Sequence, residues 1–193
     1  RNRRALKQLI AFAHHLKKME YDYDLISGKV NKVVYQKNKV DQFIHNYTYD
    51  AENRIQTANT STDNVHYETD ARYTYYKHGP LARTEIGRLY VQGVDYIYTL
   101  QGWLKGVNST SLYTGRDPGK DGYATGINHY ISADEYGFSL RYFKNDFRPI
   151  RLSMNDSNYF DIKQTTAFAD ASPEMFNGNI SNSYAAGVIR GYN

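Results

Sequence analysis

One short phrase occurs four times in the chain, and this repetition constrains the fold more than any other feature. The phrase is Tyr-x-Tyr, a short step that ends in Gly or Asn, one variable residue and then an aliphatic residue. The first tyrosines of the four copies are Tyr21, Tyr47, Tyr73 and Tyr96, which lie 26, 26 and 23 residues apart. A period of this length is typical of an array of supersecondary units rather than of one irregular domain.

Each phrase predicts a β-hairpin with two tyrosine rings on one face, because side chains alternate between the faces of a strand. The Gly or Asn tolerates the positive φ of a tight turn, and the aliphatic residue begins the return strand. A single hairpin is marginally stable in water, so neighbouring hairpins must join edge to edge. The residues predicted to carry the repeat are Tyr21, Tyr23, Asp24, Gly28, Tyr47, Tyr49, Asp50, Asn53, Tyr73, Tyr75, Gly79, Tyr96, Tyr98, Gly102 and Trp103.

The composition supports an all-β fold and excludes several classes of site. Tyrosine supplies 20 of the 193 residues, and its apolar ring with a polar tip suits half-buried β surfaces. The absence of cysteine excludes disulfides, thiolate nucleophiles and cysteine-based zinc sites. A net charge of +4, mixed along the chain, is too weak and dispersed to indicate nucleic-acid binding. No apolar run approaches the roughly 18–20 residues of a membrane span.

The pattern divides the chain into three regions. Residues 1–20 form a basic segment with apolar positions at helical spacing, which favours a packed terminal helix or strands preceding the first repeat. A basic amphipathic helix that touches a membrane or a partner is the alternative. Residues 21–108 carry the hairpins, and residues 109–193 combine long loops with short strands. Outside the phrases, strands are predicted at 32–35, 41–45, 88–91 and 136–143, with a turn into a further strand at 176–181.

Four phrases in phase, followed by further segments in order, resemble the YD repeat of RHS proteins, bacterial relatives of the teneurin and Tc-toxin shells. The first two copies match most fully, whereas Tyr76 and Thr99 replace the aspartate in the third and fourth. The later segments that resemble the same core are 98–108, 117–122, 136–140 and 176–180. The resemblance covers about residues 21–185.

The resemblance implies a spiral β-sheet wound into a hollow shell, of which this chain is a strip of wall. In the family such a shell often encloses a toxic C-terminal domain, and in other members it is a cell-surface structure. The implied function is therefore structural, in a secreted or cell-surface protein, with no enzymatic activity and no cofactor. The implied partners are the rest of the shell, the enclosed C-terminal domain and secretion machinery. Because the chain begins without Met or a signal peptide, we expect it to be a piece of a larger protein.

Two other functions remain open on the sequence. A surface adhesin could stack sugar rings on exposed aromatic side chains. The platform would consist of Tyr73, Tyr75, Tyr76, Tyr90, Tyr96, Tyr98 and Trp103. A self-processing protease segment is the second alternative, because Asp117-Pro118-Gly119 resembles part of the self-cleavage motif found at the end of some RHS cores. Here the remainder of that motif is missing and more core-like sequence follows.

The acidic residues do not predict a catalytic or metal site. Asp117 with Asp121, and Asp134 with Glu135, are the candidate carboxylate pairs for acid–base chemistry. All four lie in turn-rich sequence, where Asp is favoured for local backbone hydrogen bonds, so we expect surface turns. The six histidines are scattered, and Asp22 with Asp24 offers too few oxygens for calcium. The sequence therefore predicts no metal ligands.

Overall fold

The computed structural model describes residues 16–147 and 172–187, and all regular structure within those ranges is β. The predicted all-β class is confirmed. Of the basic segment predicted over residues 1–20, residues 1–15 lie outside the described residues, and residues 19–20 belong to β1. The ten strands are β1 Met19–Tyr23, β2 Val30–Tyr35, β3 Phe43–Tyr49, β4 Ile55–Ser61, β5 Glu68–Tyr75, β6 Leu81–Ile86, β7 Gln92–Tyr98, β8 Leu104–Val107, β9 Tyr136–Arg141 and β10 Asn182–Gly187.

The strands are antiparallel, and consecutive strands pair from β1 to β4 and again from β5 to β10. The chain separates into two compact units, residues 1–70 and residues 71–193. The first unit holds β1 to β4, the second holds β6 to β10, and β5 crosses the division. Within the second unit, a long irregular excursion over residues 108–135 connects β8 to β9. Among the residues that the structure describes, no helix has the length and apolar character needed to cross a membrane.

Each of the four phrases forms a hairpin, and the same two positions of the phrase pair in all four. In every copy the second tyrosine lies directly opposite the aliphatic residue, and the register shifts immediately before that tyrosine. The pairs are Tyr23 with Val30, Tyr49 with Ile55, Tyr75 with Leu81 and Tyr98 with Leu104. An aromatic ring opposite an aliphatic side chain is a favourable cross-strand pair. The extra residue at each shift increases the local twist of the strand.

The turn residues adopt the predicted conformation. Gly28, Asn53, Gly79 and Gly102 have φ angles of 69°, 61°, 117° and 85°. In the last three turns, the N–H of this residue donates to the carbonyl three residues earlier, over 2.9–3.0 Å. This is a type I turn followed by a left-handed residue, a frequent three-residue hairpin connection.

The strand predicted over residues 88–91 is wrong. β6 ends at Ile86, and residues 87–90 form the turn to β7. Gly87 and Tyr90 have φ angles of 79° and 52°, and the N–H of Val91 closes the turn on the carbonyl of Ile86 at 3.0 Å. The β-favouring side chains misled the prediction because the backbone reverses at Gly87. The strand predicted at 32–35 lies in β2, those predicted at 41–45 and 136–143 overlap β3 and β9, and the turn at 176–178 leads to β10.

The described residues contain few fully buried apolar side chains. Ile44 is buried in the first unit, and Ile97, Ile131 and Tyr142 are buried in the second. On β7 and β9 of the second unit, one face is buried, and much of that face is polar. The interior of the second unit is therefore built largely from charged and hydrogen-bonded groups.

Candidate functional site

The tyrosines of the repeat form a partly exposed surface. Tyr21 and Tyr23 are about half exposed, and their ring centroids stack 6.2 Å apart. The remaining six tyrosines of the phrases are half-buried; they are Tyr47, Tyr49, Tyr73, Tyr75, Tyr96 and Tyr98. Only the first copy therefore presents a pair of exposed rings.

The aspartates of the first two phrases hold the turns. The carboxylate of Asp24 accepts the N–H of Ser27 at 2.7 Å, and hydrogen bonds from Ser27 lower the pKa of Asp24. Asp50 accepts the N–H of Arg54 at 2.8 Å and also binds the Arg54 guanidinium at 2.7 Å. In the fourth copy the hydroxyl of Thr99 replaces the carboxylate and accepts the N–H of Trp103 at 3.1 Å. Although the fourth copy lacks the aspartate, the Thr99 hydroxyl therefore closes the same turn.

Tyrosine hydroxyls connect successive hairpins within each unit. Tyr49 donates to the carbonyl of Val30 at 2.7 Å in the first unit, and Tyr76 donates to the carbonyl of Tyr96 at 2.8 Å in the second. The ring of Trp103 lies 5.1 Å from that of Tyr142. The hydroxyls and ring faces of these side chains contact neighbouring parts of the same unit, which is the arrangement expected of a structural role.

A cluster of buried charges is centred on Arg83 of β6, which lies directly opposite Asp95 of β7. The Arg83 guanidinium donates to Asp95 at 2.5 Å, to Asp121 at 2.6 Å and to Glu85 at 3.2 Å. The Asp121 side chain is fully buried, and that of Asp95 is 8% exposed. The excursion between β8 and β9 therefore brings a carboxylate 38 residues away onto the buried face of β6.

Two glycines make room for the Arg83 guanidinium. A Cβ on Gly93 or on Gly119 would lie 2.0 Å from an Arg83 nitrogen. A contact under 3 Å is not tolerated, so any side chain at either position would displace the guanidinium. The glycine of β7 and the glycine of the Asp117-Pro118-Gly119 segment are thus packing requirements of this cluster.

Asn108 links the cluster to a second pair of acids. Its amide oxygen accepts the N–H of Asp95 at 2.8 Å, and its amide nitrogen donates to Asp134 at 2.9 Å. Asp117 in turn accepts the N–H of Asp121 at 3.2 Å. We call the four acids Asp95, Asp117, Asp121 and Asp134 the aspartate cluster. The expectation of surface turns at Asp117, Asp121 and Asp134 is wrong, since these residues are 5%, 0% and 9% exposed.

The electrostatics of the aspartate cluster reflect an excess of buried negative charge. Burial raises the pKa of Asp95 to about 7, and burial also raises the pKa of Asp121. Burial, together with a hydrogen bond and the charge of nearby Asp117, raises the pKa of Asp134 to about 9. Burial disfavours the charge of Arg83, but attraction to Asp95 and Asp121 outweighs it and raises the Arg83 pKa. One guanidinium cannot neutralise four carboxylates.

Three oxygens of the aspartate cluster are buried without a hydrogen-bond partner. They are Asp117 Oδ1, Asp121 Oδ2 and Asp134 Oδ2. In addition, Asp95, Asp117 and Asp121 each place one carboxylate oxygen within 4.8 Å of the other two. This is the one grouping among the described residues that could hold a metal ion.

A second buried ion pair lies nearby in sequence. The ammonium of Lys105 binds both oxygens of Asp146, at 2.7 and 2.9 Å, and both side chains are 1% exposed. Asp146 also accepts the N–H of Tyr142 at 2.9 Å. Burial lowers the pKa of Lys105. The contacts are fully paired, which is typical of a structural ion pair rather than of a reactive lysine.

Sequence reasoning missed both buried ionic groups. Asp95 lies on β7, whose tyrosines occupy the opposite face, Lys105 lies on the short strand β8, and Asp121 lies in a Gly-rich loop. The available signal was the period-two pattern on β7, where Gly93, Asp95 and Ile97 share the buried face. No protein-family model matches the chain, and a search of curated proteins found no match.

Proposed function

We propose that the chain is a structural segment of an RHS-type β-sheet wall, in a secreted or cell-surface protein, that encloses or displays a C-terminal effector. Its partners are then the remainder of that wall, the enclosed domain and secretion machinery. The observation that carries the proposal is the repeated hairpin itself. Four copies of one phrase adopt one register, each with the second tyrosine opposite an aliphatic residue.

The distribution of burial supports a wall rather than a self-contained globule. Ile44 is the one fully buried apolar side chain among the described residues of the first unit, while Tyr21, Tyr23 and Phe43 remain 39–52% exposed. Within the described ranges, β1 pairs with β2 alone and β10 pairs with β9 alone. Strands with free edges are able to accept further strands.

The glycan-binding alternative receives no specific support from its proposed platform. Tyr76 packs against Tyr98 with centroids 6.2 Å apart, and Tyr90 contacts the Arg72 guanidinium and the ring of Tyr130. The rings of Tyr76, Tyr90 and Tyr98 are half-buried and already have protein partners. A sugar would have to displace those contacts, so we do not propose this function.

The self-processing alternative has one favourable observation, which is the closeness of Asp117 and Asp134. Two carboxyls that share an environment can act as acid and base. Both side chains are more than nine-tenths buried, however, so a peptide substrate could not reach them without opening of the unit. We therefore keep the structural proposal, with no catalytic role.

A test of the wall proposal exploits the free edge of β1. The carbonyl of Lys18 accepts the N–H of Gln36, and antiparallel bonding alternates, so the N–H of Met19 points away from β2. Met19→Pro removes this outward donor without loss of a hairpin hydrogen bond. Met19→Ala is the matched control, because it removes the side chain but keeps the N–H.

We expect the full 193-residue chain to self-associate at micromolar concentration in sedimentation velocity, since its edges can pair between copies. Met19→Pro should weaken that association about tenfold, and Met19→Ala should change it little. The intact mass should stay constant between pH 4 and pH 8. A monomer with a sharp cooperative melt, or a cleavage near Asp117, would overturn the proposal.

A further inference from the structure

We propose that the aspartate cluster of the second unit binds a Ca²⁺ ion through carboxylate oxygens of Asp95, Asp117 and Asp121. These three residues lie on β7 and on the excursion between β8 and β9, and each is at least 95% buried. The site is independent of the hairpin surface on which the wall proposal depends.

The first argument is geometric. One oxygen from each of the three residues lies within 4.8 Å of the other two. The three oxygens are thus close enough for one cation to contact all of them. Ca²⁺ binds several protein oxygens in flexible geometry, whereas Mg²⁺ usually keeps several waters and binds only one or two carboxylates. Three buried carboxylates on a strand and an irregular loop therefore favour Ca²⁺ over Mg²⁺.

The second argument is the presence of buried oxygens that lack partners. Asp121 Oδ2 belongs to a side chain with no solvent exposure, and Asp117 Oδ1 belongs to a residue that is 5% exposed. Buried polar atoms are almost always hydrogen-bonded or ligated, because desolvation without a partner is unfavourable. Arg83 occupies only the other oxygen of Asp121.

The third argument is charge balance. Even when Asp134 is protonated, ionised Asp95, Asp117 and Asp121 place three negative charges beside the one positive charge of Arg83. A proton shared between Asp117 and Asp134 would leave Asp121 Oδ2 without a partner. A divalent cation would neutralise two charges and ligate the unpartnered oxygens of Asp117 and Asp121 at the same time. A hard cation, which prefers oxygen ligands, would thus balance the excess negative charge and give the buried oxygens a partner.

The test is a calcium titration of the full 193-residue chain at pH 7.5, after treatment with EDTA. We expect one binding event per chain by isothermal titration calorimetry. At Ca²⁺ about 100-fold above Kd, the thermal midpoint should rise by roughly 5–10 °C. MgCl₂ at equal concentration should give less than half of that rise.

Asp117→Asn is the informative variant, because asparagine retains an acceptor for the N–H of Asp121 but lacks the charge. In EDTA it should melt at or above the midpoint of the unmodified chain, and with CaCl₂ it should gain little. Asp41→Asn, at an exposed ion pair of the first unit, is the matched control and should keep the full calcium response. Should Asp117→Asn fail to fold, Asp95→Asn removes another of the three proposed ligand carboxylates and provides the same comparison.

The proposal predicts a calcium response that Asp117→Asn loses and Asp41→Asn keeps. The absence of a calorimetric signal in the unmodified chain would overturn it. If CaCl₂ raised the thermal midpoint of Asp117→Asn as much as that of the unmodified chain, the ion would bind elsewhere, and the proposal would also be overturned. An equal rise with MgCl₂ would overturn the assignment to Ca²⁺.

Discussion

The two units use the same hairpin phrase but place their carboxylates in opposite environments. In the first unit, hydrogen bonds from Ser27, Lys17 and His66 lower the pKa values of Asp24, Asp41 and Asp63 respectively. These acids lie at turns or at the surface. In the second unit, burial raises the pKa values of Asp95, Asp121 and Asp134.

The difference shows which part of the chain determines each property. The phrase determines strands and turns, and it does so equally in both units. The excursion over residues 108–135 determines the interior, because it supplies Asp117, Asp121 and Asp134 to the buried face. The described part of the first unit has no excursion of that length, and its ion pairs remain partly exposed. The following predictions test whether burial of charge separates the two units.

The largest effect is expected from Asp146→Asn in the second unit. It leaves the Lys105 ammonium buried without an anionic partner, which costs about 3–5 kcal/mol of unfolding free energy. Urea denaturation measures the loss. Asp41→Asn removes the partner of exposed Lys17 in the first unit and should give no measurable change. Equal losses at the two sites would contradict the comparison.

A smaller effect is expected from Gly93→Ala, which places a Cβ 2.0 Å from Arg83 and 2.2 Å from Asp121 Oδ2. Because the guanidinium must move, we expect a loss of about 2–3 kcal/mol in unfolding free energy. Gly102→Ala is the control, because its Cβ would lie in open space. Only the strain of its positive φ of 85° should reduce the unfolding free energy, by about 1 kcal/mol. If Gly102→Ala proved the more damaging, backbone conformation rather than burial of charge would dominate.

The smallest effect concerns the exposed pair of His66 and Asp63 in the first unit, whose nearest atoms are 2.6 Å apart. The hydrogen bond that His66 donates to Asp63 raises the pKa of His66 above 6.5 and lowers the pKa of Asp63. The His66 contribution to stability is fully present below pH 6.5 and is lost as the pH rises through the raised pKa. The Asp63 contribution is present above its unfolded pKa of 3.8 and is lost on acidification through the lowered value.

Titration of the His66 ring by NMR measures this pair directly. We expect a midpoint above 6.5 in the unmodified chain and a return toward 6.5 in Asp63→Asn. Because the His66 side chain is 87% exposed, the thermal midpoint should barely respond to that variant. A titration midpoint that is identical in both proteins would show that the pair does not form in solution.

The sequence predicted the hairpins because their determinants are local. Tyr49, Asn53 and Ile55 lie within seven residues, and one turn fixes all three. The strand prediction was wrong at residues 88–91, where β-favouring side chains occupy a turn that Gly87 initiates. The sequence also did not predict the ion pair of Arg83 and Asp121, which are 38 residues apart and meet only when the excursion folds onto β6. Composition alone does not distinguish a buried loop aspartate from a solvated one.

Hydrogen–deuterium exchange of the full 193-residue chain tests the central claim most directly, since it reports the opening of each strand separately. The claim is that the phrase forms hairpins in both units and that the buried ion pairs of Arg83 and Lys105 hold the second unit together. It predicts protection in all four hairpins, with the slowest exchange in β7, β8 and β9. Unprotected amides around the Tyr-x-Tyr pairs, or slower exchange in β1 to β4 than in β7 to β9, would contradict it.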